Sequence, residues 1–178
     1  YYRGSEHNCL ERVVKTCEKF KLKNIVMTTG DCPFIDFNLV EQCIQTYKTN
    51  NVDIVGNAIV RSFPDGMDTQ VLSYKILKDS FKKAFHKEHF EHSTLFIRNN
   101  PSMYKSLNIF APPNYFWPDL GLTLDEEKDL IFLKEIYKNL NKSSKNFTCL
   151  DVINFLKKNK NLIKINKNVT RKKVTVTI

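Results

Sequence analysis

The sequence has no apolar run approaching the roughly 18 residues that a membrane-spanning helix needs. Its first residues, Tyr1-Tyr2-Arg3-Gly4-Ser5, lack the charged start and apolar stretch of a signal peptide. These two absences set the expectation of a soluble, cytoplasmic protein with no membrane partner. The five cysteines, Cys9, Cys17, Cys32, Cys43 and Cys149, are odd in number and contain no Cys-x-x-Cys pair, which argues against a disulfide framework and against a zinc or redox site. They read as reduced, mostly buried small apolar residues, and Cys32 alone is a candidate reactive thiol because it lies inside the strongest motif. There is no internal repeat, and no low-complexity segment apart from a Lys/Asn-rich end.

What is present is enough for one packed domain: 178 residues, 42% hydrophobic and 12% aromatic. The net charge of +9 could suggest nucleic acid. Its placement argues otherwise. Lys157, Lys158, Lys160, Lys164, Lys167, Arg171, Lys172 and Lys173 all fall in the last stretch, and aromatics do not interleave with them as they do on surfaces that stack single strands. The expected organisation is a domain over residues 1–158 and a solvated basic tail or linker over 159–178.

Apolar spacing predicts a helix over residues 8–20, with Leu10, Val13, Val14, Cys17 and Phe20 on one face. Residues 24–29 read as a buried strand that feeds into Gly30-Asp31, with nothing upstream to pair beside it. A helix from Asp36 to Lys48 follows, with Asp36 as its N-cap. Further strands are expected at 53–60, 68–73 and 120–124, an edge strand at 105–110, and a β-prone end at 174–178. Helices are expected at 74–85, from 88 to 98, at 127–140 and at 149–158. Alternating strands and helices imply an α/β fold with a mostly parallel sheet covered on both faces. Ligands in such sheets bind beyond the carboxyl ends of the strands, where Asp31 and Asp125 are both expected.

An aspartate just past a buried strand, preceded by a glycine that lets the backbone approach a ligand, suits a hard cation such as Mg²⁺ that keeps its phosphate partners. Thr29-Gly30-Asp31-Cys32-Pro33 has that form, although Asp31 could equally cap the next helix. Asp125 opens Asp-Glu-Glu-Lys-Asp at a helix start, where acids are favoured with or without a metal. Pro64-Asp65-Gly66-Met67-Asp68 adds two acids at a tight turn. His89 and His92 could share a helix face, but without a third ligand such a pair suits capping or the surface.

Six segments in register carry a family resemblance: Tyr2-Arg3-Gly4-Ser5-Glu6; Leu10-Glu11-Arg12; Thr29 to Asp36; Phe63 to Asp68; Glu91-His92 with Ile97-Arg98; and Leu122 to Leu130. Together, over roughly residues 2–168, they resemble the SpsF family of cytidylyltransferase-like proteins, relatives of the enzymes that activate acylneuraminate and Kdo with CTP. The resemblance implies a three-layer α/β/α nucleotide-diphospho-sugar transferase fold of Rossmann-like build. It implies nucleotidyl transfer from a nucleoside triphosphate, expected to be CTP, to a sugar or sugar-acid acceptor in surface-polysaccharide synthesis, with release of pyrophosphate. Asp31 and Asp125 would be the catalytic and Mg²⁺ carboxylates. Arg3, Gly4, Ser5, Gly30 and Asp31 would contact the nucleotide, and Asp65, Gly66, Asp68, Glu91 and His92 the acceptor. Members are often homodimers. They also open with a strand and an Arg- and Lys-bearing glycine loop ahead of the Arg-Gly-Ser segment, so the expectation is of a chain truncated at its N-terminus. Two other readings stand beside this one: a glycosyltransferase of similar fold, and a non-catalytic module that recruits an acidic partner through its basic end.

Overall fold

A computed structural model describes residues 1–142 and 146–171. Its elements are α1 (Cys9–Phe20), β1 (Asn24–Met27), α2 (Phe37–Thr49), β2 (Ile54–Gly56), β3 (Gln70–Ser73), α3 (Tyr74–Lys83), α4 (Lys87–Glu91), α5 (Leu95–Arg98), β4 (Ser106–Asn108), α6 (Glu127–Leu140) and α7 (Cys149–Lys158), followed by a 3₁₀ turn at Leu162–Ile165. The long helices stand where apolar spacing places them. Their starts are fixed by side chains: Asn8 accepts from the Glu11 amide at 2.9 Å, Asp36 from Asn38 at 2.8 Å, and Ser73 from Ile76 at 3.2 Å. The stretch expected as one helix from residue 88 is broken at His92-Ser93-Thr94 into α4 and α5.

The sheet order is β1-β3-β2-β4. Here the structure amends the expectation of a mostly parallel sheet. β1, β2 and β4 point the same way, but β3 runs against them between β1 and β2, so two of the three pairings are antiparallel and only β2 with β4 is parallel. The cause is the connection. Parallel neighbours need a crossover, usually a helix, whereas residues 57–69 contain none and return the chain directly alongside β2. Among the described residues β1 pairs on one side only, and its Val26 is 43% exposed. The 120–124 segment is not a strand: it makes one parallel bridge, Asp65 to Gly121. The expected strand at 174–178 lies outside the described residues.

Period-two alternation divides the sheet's side chains between two cores. Ile25, Leu72 and Ile54 stand in register and pack with Leu10, Val14 and Cys17 of α1, Leu77 of α3 and Ile97 of α5. Val71 and Val55 face the other way, onto Leu39 and Cys43 of α2, Phe132 and Ile136 of α6, and Val152 and Leu156 of α7. This gives the three α/β/α layers. Residues 159–171 are not the solvated tail expected from composition, because Leu162, Ile163 and Ile165 are spaced between the lysines and pack against the second core, and Asn166 is buried.

Asp36 joins two helices on the same face of the sheet, α2 and α7. It is 1% exposed; its Oδ1 caps α2 and its Oδ2 accepts from the Cys149 amide at the start of α7 at 2.8 Å. Asp36→Ala leaves the buried Cys149 amide and the part-buried Asn38 amide without acceptors, and the expected loss is about 2–4 kcal/mol, read as a lower denaturant midpoint with an unchanged slope. A loss under about 0.5 kcal/mol, the range of a surface change, would contradict this coupling.

Candidate active site

β1 delivers Thr28-Thr29-Gly30 to the wall of a cleft of about 1280 Å³, and the same wall carries Asp65, Asp68, Arg61, Glu91 and His92. Of the residues singled out from sequence, Gly30, Asp65, Asp68, Glu91 and His92 therefore meet at one cavity. Asp31 sits one residue beyond Gly30, and its carbonyl accepts the Leu124 amide at 2.8 Å. That bond joins the loop bearing Asp31 to the residue preceding Asp125, so the two loops lie together at one end of the sheet.

The capping alternatives do not describe these aspartates. α2 is capped by Asp36, not Asp31. At α6 the capping pair is Glu126 and Asp129, and Asp125 precedes it. Asp125 instead accepts from the Thr123 hydroxyl at 2.8 Å and from Arg171 at 3.2 Å, with its side chain 48% exposed. Among the described residues the Asp31 carboxylate receives only a long contact from the Cys32 thiol, 3.6 Å.

Charge is dense around this rim. Arg61 grips both oxygens of Asp68 at 2.9 and 2.8 Å and also reaches Asp65 at 3.0 Å. Burial pushes the Asp65 carboxyl up from the ordinary aspartate value; Asp68 and Asp125 add to the shift, while Arg61 and Arg171 oppose it. Burial lowers Arg61, but Asp68 and Asp65 outweigh it and raise the guanidinium overall. Asp65 thus lies within electrostatic reach of Asp125, which itself does not line the cleft. Cys32 is no nucleophile: burial drives its thiol up to about 12, with Asp31 and Asp68 contributing.

Gly66 is not on the cleft wall. Its φ of +102° and its approach to the Leu122 backbone, where an added Cβ would come within 2.8 Å of the carbonyl carbon, account for a glycine at this turn. Arg3, Gly4 and Ser5 also stay off the wall, but Ser5 receives the Arg12 guanidinium on its carbonyl at 2.7 Å, and Arg12 does line the cleft. His89 is buried behind the wall and its Nδ1 accepts from the His86 amide at 3.3 Å, as the capping reading of that histidine requires.

Sequence motifs assign no site role to four further arginines. Arg12, Arg61, Arg98 and Arg171 all line the cleft. Arg171 reaches Thr123, Asp125 and Asp129, and Asp129 in turn holds Asn166 at 2.8 Å, which fastens the closing segment to the rim. For Arg98 a signal existed: it ends the wholly apolar run Leu95-Phe96-Ile97, so its guanidinium must leave the core beside buried side chains.

Among the described residues no three of His, Cys, Asp and Glu cluster as a metal cage. A set of two carboxylates, one of them with almost no hydrogen-bond partner, nevertheless fits Mg²⁺, which usually takes one or two carboxylates and completes its shell with waters and substrate phosphates.

The α/β/α layers and the mixed sheet are a fold shared with a solved structure: a cytidylyltransferase from Leptospira borgpetersenii serovar Hardjo-bovis superposes with a TM-score of 0.85 over 96% of this chain and 70% of its own, at 24% identity. Residues 1–173 match the Cytidylyltransferase family, and the chain belongs to it. It is 33% identical over 138 residues to the spore coat polysaccharide biosynthesis protein SpsF of Bacillus subtilis, covering 77% of this chain and 56% of that protein. It is 30% identical over 172 residues to an uncharacterized protein of Methanocaldococcus jannaschii, covering 96% and 68%. The chain thus spans about 56% of the length of its Bacillus relative. No helix among the described residues is long and apolar enough to cross a membrane.

Proposed function

We propose that this protein transfers a cytidylyl group from CTP to a sugar or sugar-acid acceptor in surface-polysaccharide synthesis, releasing pyrophosphate. The observation that carries the reading is the hydrogen bond from the Leu124 amide to the Asp31 carbonyl, 2.8 Å, which brings two aspartate loops together beside a cleft large enough for a nucleotide and a sugar. Family membership and the likeness to SpsF support the chemistry.

In this reading an acceptor hydroxyl oxygen bonds to the α-phosphorus as the bond to pyrophosphate breaks, and no protein nucleophile takes part. Asp31 and Asp125 would hold Mg²⁺, which when bound supplies positive charge to the phosphate oxygens. Gly30, without a side chain and with open space around its Cβ position, lets the nucleotide approach the backbone. Asp65 and Asp68, fixed by Arg61, together with Glu91 and His92, form the acceptor wall and orient its hydroxyl groups. The gain comes from positioning the two substrates and from fixed charge around the transferred phosphate.

The test is to incubate the protein with CTP, Mg²⁺ and a panel of neutral sugars and sugar acids, and to follow pyrophosphate. Its release should require CTP and an acceptor together. Release of a nucleoside mono- or diphosphate from a preformed nucleotide sugar, with none of pyrophosphate from CTP, would instead establish a glycosyltransferase.

A further inference from the structure

From Ile163 onward the closing segment runs along one wall of the cleft and reaches the rim at Arg171. Two side chains fasten it there. Asn166 is buried, and its amide group donates to the Gly121 carbonyl at 3.1 Å and to Asp129 Oδ1 at 2.8 Å. Arg171 is half-buried; its Nη2 donates to the same Asp129 oxygen at 2.8 Å, and its Nη1 donates to Thr123 Oγ1 and, at 3.2 Å, to Asp125 Oδ2. A side chain on Gly121 would run into this guanidinium, so the glycine makes room for it.

The two fastenings differ in what they leave behind when broken. Without Arg171, Asp129 keeps Asn166 and the Asp125 and Glu126 amides, and Asp125 keeps the Thr123 hydroxyl at 2.8 Å. Neither carboxylate is then left without donors, so Arg171 can leave the rim while Asn166 still holds the segment. At Asp125, whose side chain is 48% exposed, the ion pair that must break is a weak one. Asp125 is also the carboxylate assigned above to Mg²⁺. Arg171 neutralises it as a metal would, and a guanidinium and a divalent cation do not share one oxygen at contact distance, because like charges that close repel.

We propose that the closing segment is an autoinhibitory strap: Arg171 competes with the divalent cation for Asp125, and residues 167–171 swing off the rim about Asn166 when the metal binds. This rests on the reading of Asp125 as a metal carboxylate. Metal affinity is then a property of the strap as well as of the two aspartates, and by reciprocity the metal governs whether the strap is closed.

Mn²⁺ alone is the probe, with the free ion counted by its paramagnetic resonance in titrations of the whole chain. Arg171→Gln removes the competing charge and should bind Mn²⁺ about fivefold more tightly than the wild-type protein, the factor expected from the loss of one partly exposed ion pair. Arg171→Lys keeps the charge and should stay close to wild type. Asp125→Asn should erase the gain. The Gly121 amide, beside the guanidinium, gives a second readout. Its nitrogen-15 resonance should differ between wild type and Arg171→Gln without metal, and coincide in the two when Mg²⁺ saturates. Equal Mn²⁺ affinity in wild type and Arg171→Gln, both weakened by Asp125→Asn, would overturn the strap and leave the metal reading standing. Equal tightening in the Lys and Gln variants would also overturn it, since loosening of the segment and not charge would then be the cause. Mn²⁺ binding indifferent to Asp125→Asn would overturn the metal reading itself, and the strap with it.

Discussion

Asp31→Asn and Asp125→Asn are each expected to lower turnover by a factor of about 10² or more while leaving the melting temperature nearly unchanged. Each exchange removes a negative charge without changing shape. The Asp31 carboxylate supports the fold with nothing stronger than a 3.6 Å contact to Cys32, so its loss has little structural consequence. Asp125 is half exposed and gives up an ion pair to Arg171, an interaction expected to be worth under about 1 kcal/mol at that exposure. The measurement is pyrophosphate release at saturating CTP beside a melt of the same preparation. If either variant instead unfolds some ten degrees early and keeps its turnover below that point, the aspartate supports the fold and not the chemistry.

Asp129 should show the opposite pattern. It is fully buried, and four donors converge on its carboxylate: the Asp125 and Glu126 amides at 3.3 and 3.0 Å, Asn166 at 2.8 Å and Arg171 at 2.8 Å. Asp129→Ala removes one half of the α6 capping pair and releases the closing segment from the rim, with an expected cost of about 3–5 kcal/mol. Asp129→Asn keeps the volume but loses the charge and should cost less. Acid acts on the same group. Burial alone would raise its pKa, but the hydrogen bonds from Asn166, the Glu126 amide and Arg171, with the charge of Arg171, outweigh it and hold the carboxyl below the ordinary aspartate value. Its contribution is therefore present above the unfolded value, about 4, and is lost as pH falls through the folded value. His89, lowered mainly by burial and further by His86, works in the same direction from higher pH, because below about 6.5 the unfolded chain takes up a proton that the folded chain resists. Denaturant midpoints between pH 7 and pH 3 should fall for the wild-type protein, and less steeply at the acid end for Asp129→Asn. An identical acid limb in the two proteins would contradict the role given to Asp129.

How far the sequence announces this structure depends on the range of the interactions involved. The ends of α2, α6 and α7 were legible because capping and helical spacing are local, as with Asp36 before Leu39-Val40. The direction of β3 was not. It depends on residues 57–69 carrying no helix, and the alternation of strands and helices elsewhere suggested crossovers throughout. Leu120 and Leu122 alternate as a strand would, yet they are buried from an extended segment that makes a single bridge. The basic end misled in the same way, since its lysines hid three apolar side chains that reach the core. At the site, Gly30 and Asp31 could be read from the strand that precedes them. The partnership of Arg61 with Asp68 and the Arg98 Nε left without a partner among the described residues could not, because the first depends on how the segment after β2 folds back on itself and the second on how deeply the end of α5 is buried, neither of which is set by local spacing.

The central claim is that Asp31 and Asp125 act on one ligand. Crystals of the protein grown with CTP and Mn²⁺ in place of Mg²⁺ test it most directly, because the metal is located by its anomalous scattering independently of any assay. The account predicts manganese in contact with both carboxylates, with the triphosphate beside Gly30 and Asp125 released from Arg171. Manganese bound elsewhere on the protein, with Asp125 still paired to Arg171 and the triphosphate away from Gly30, would contradict it.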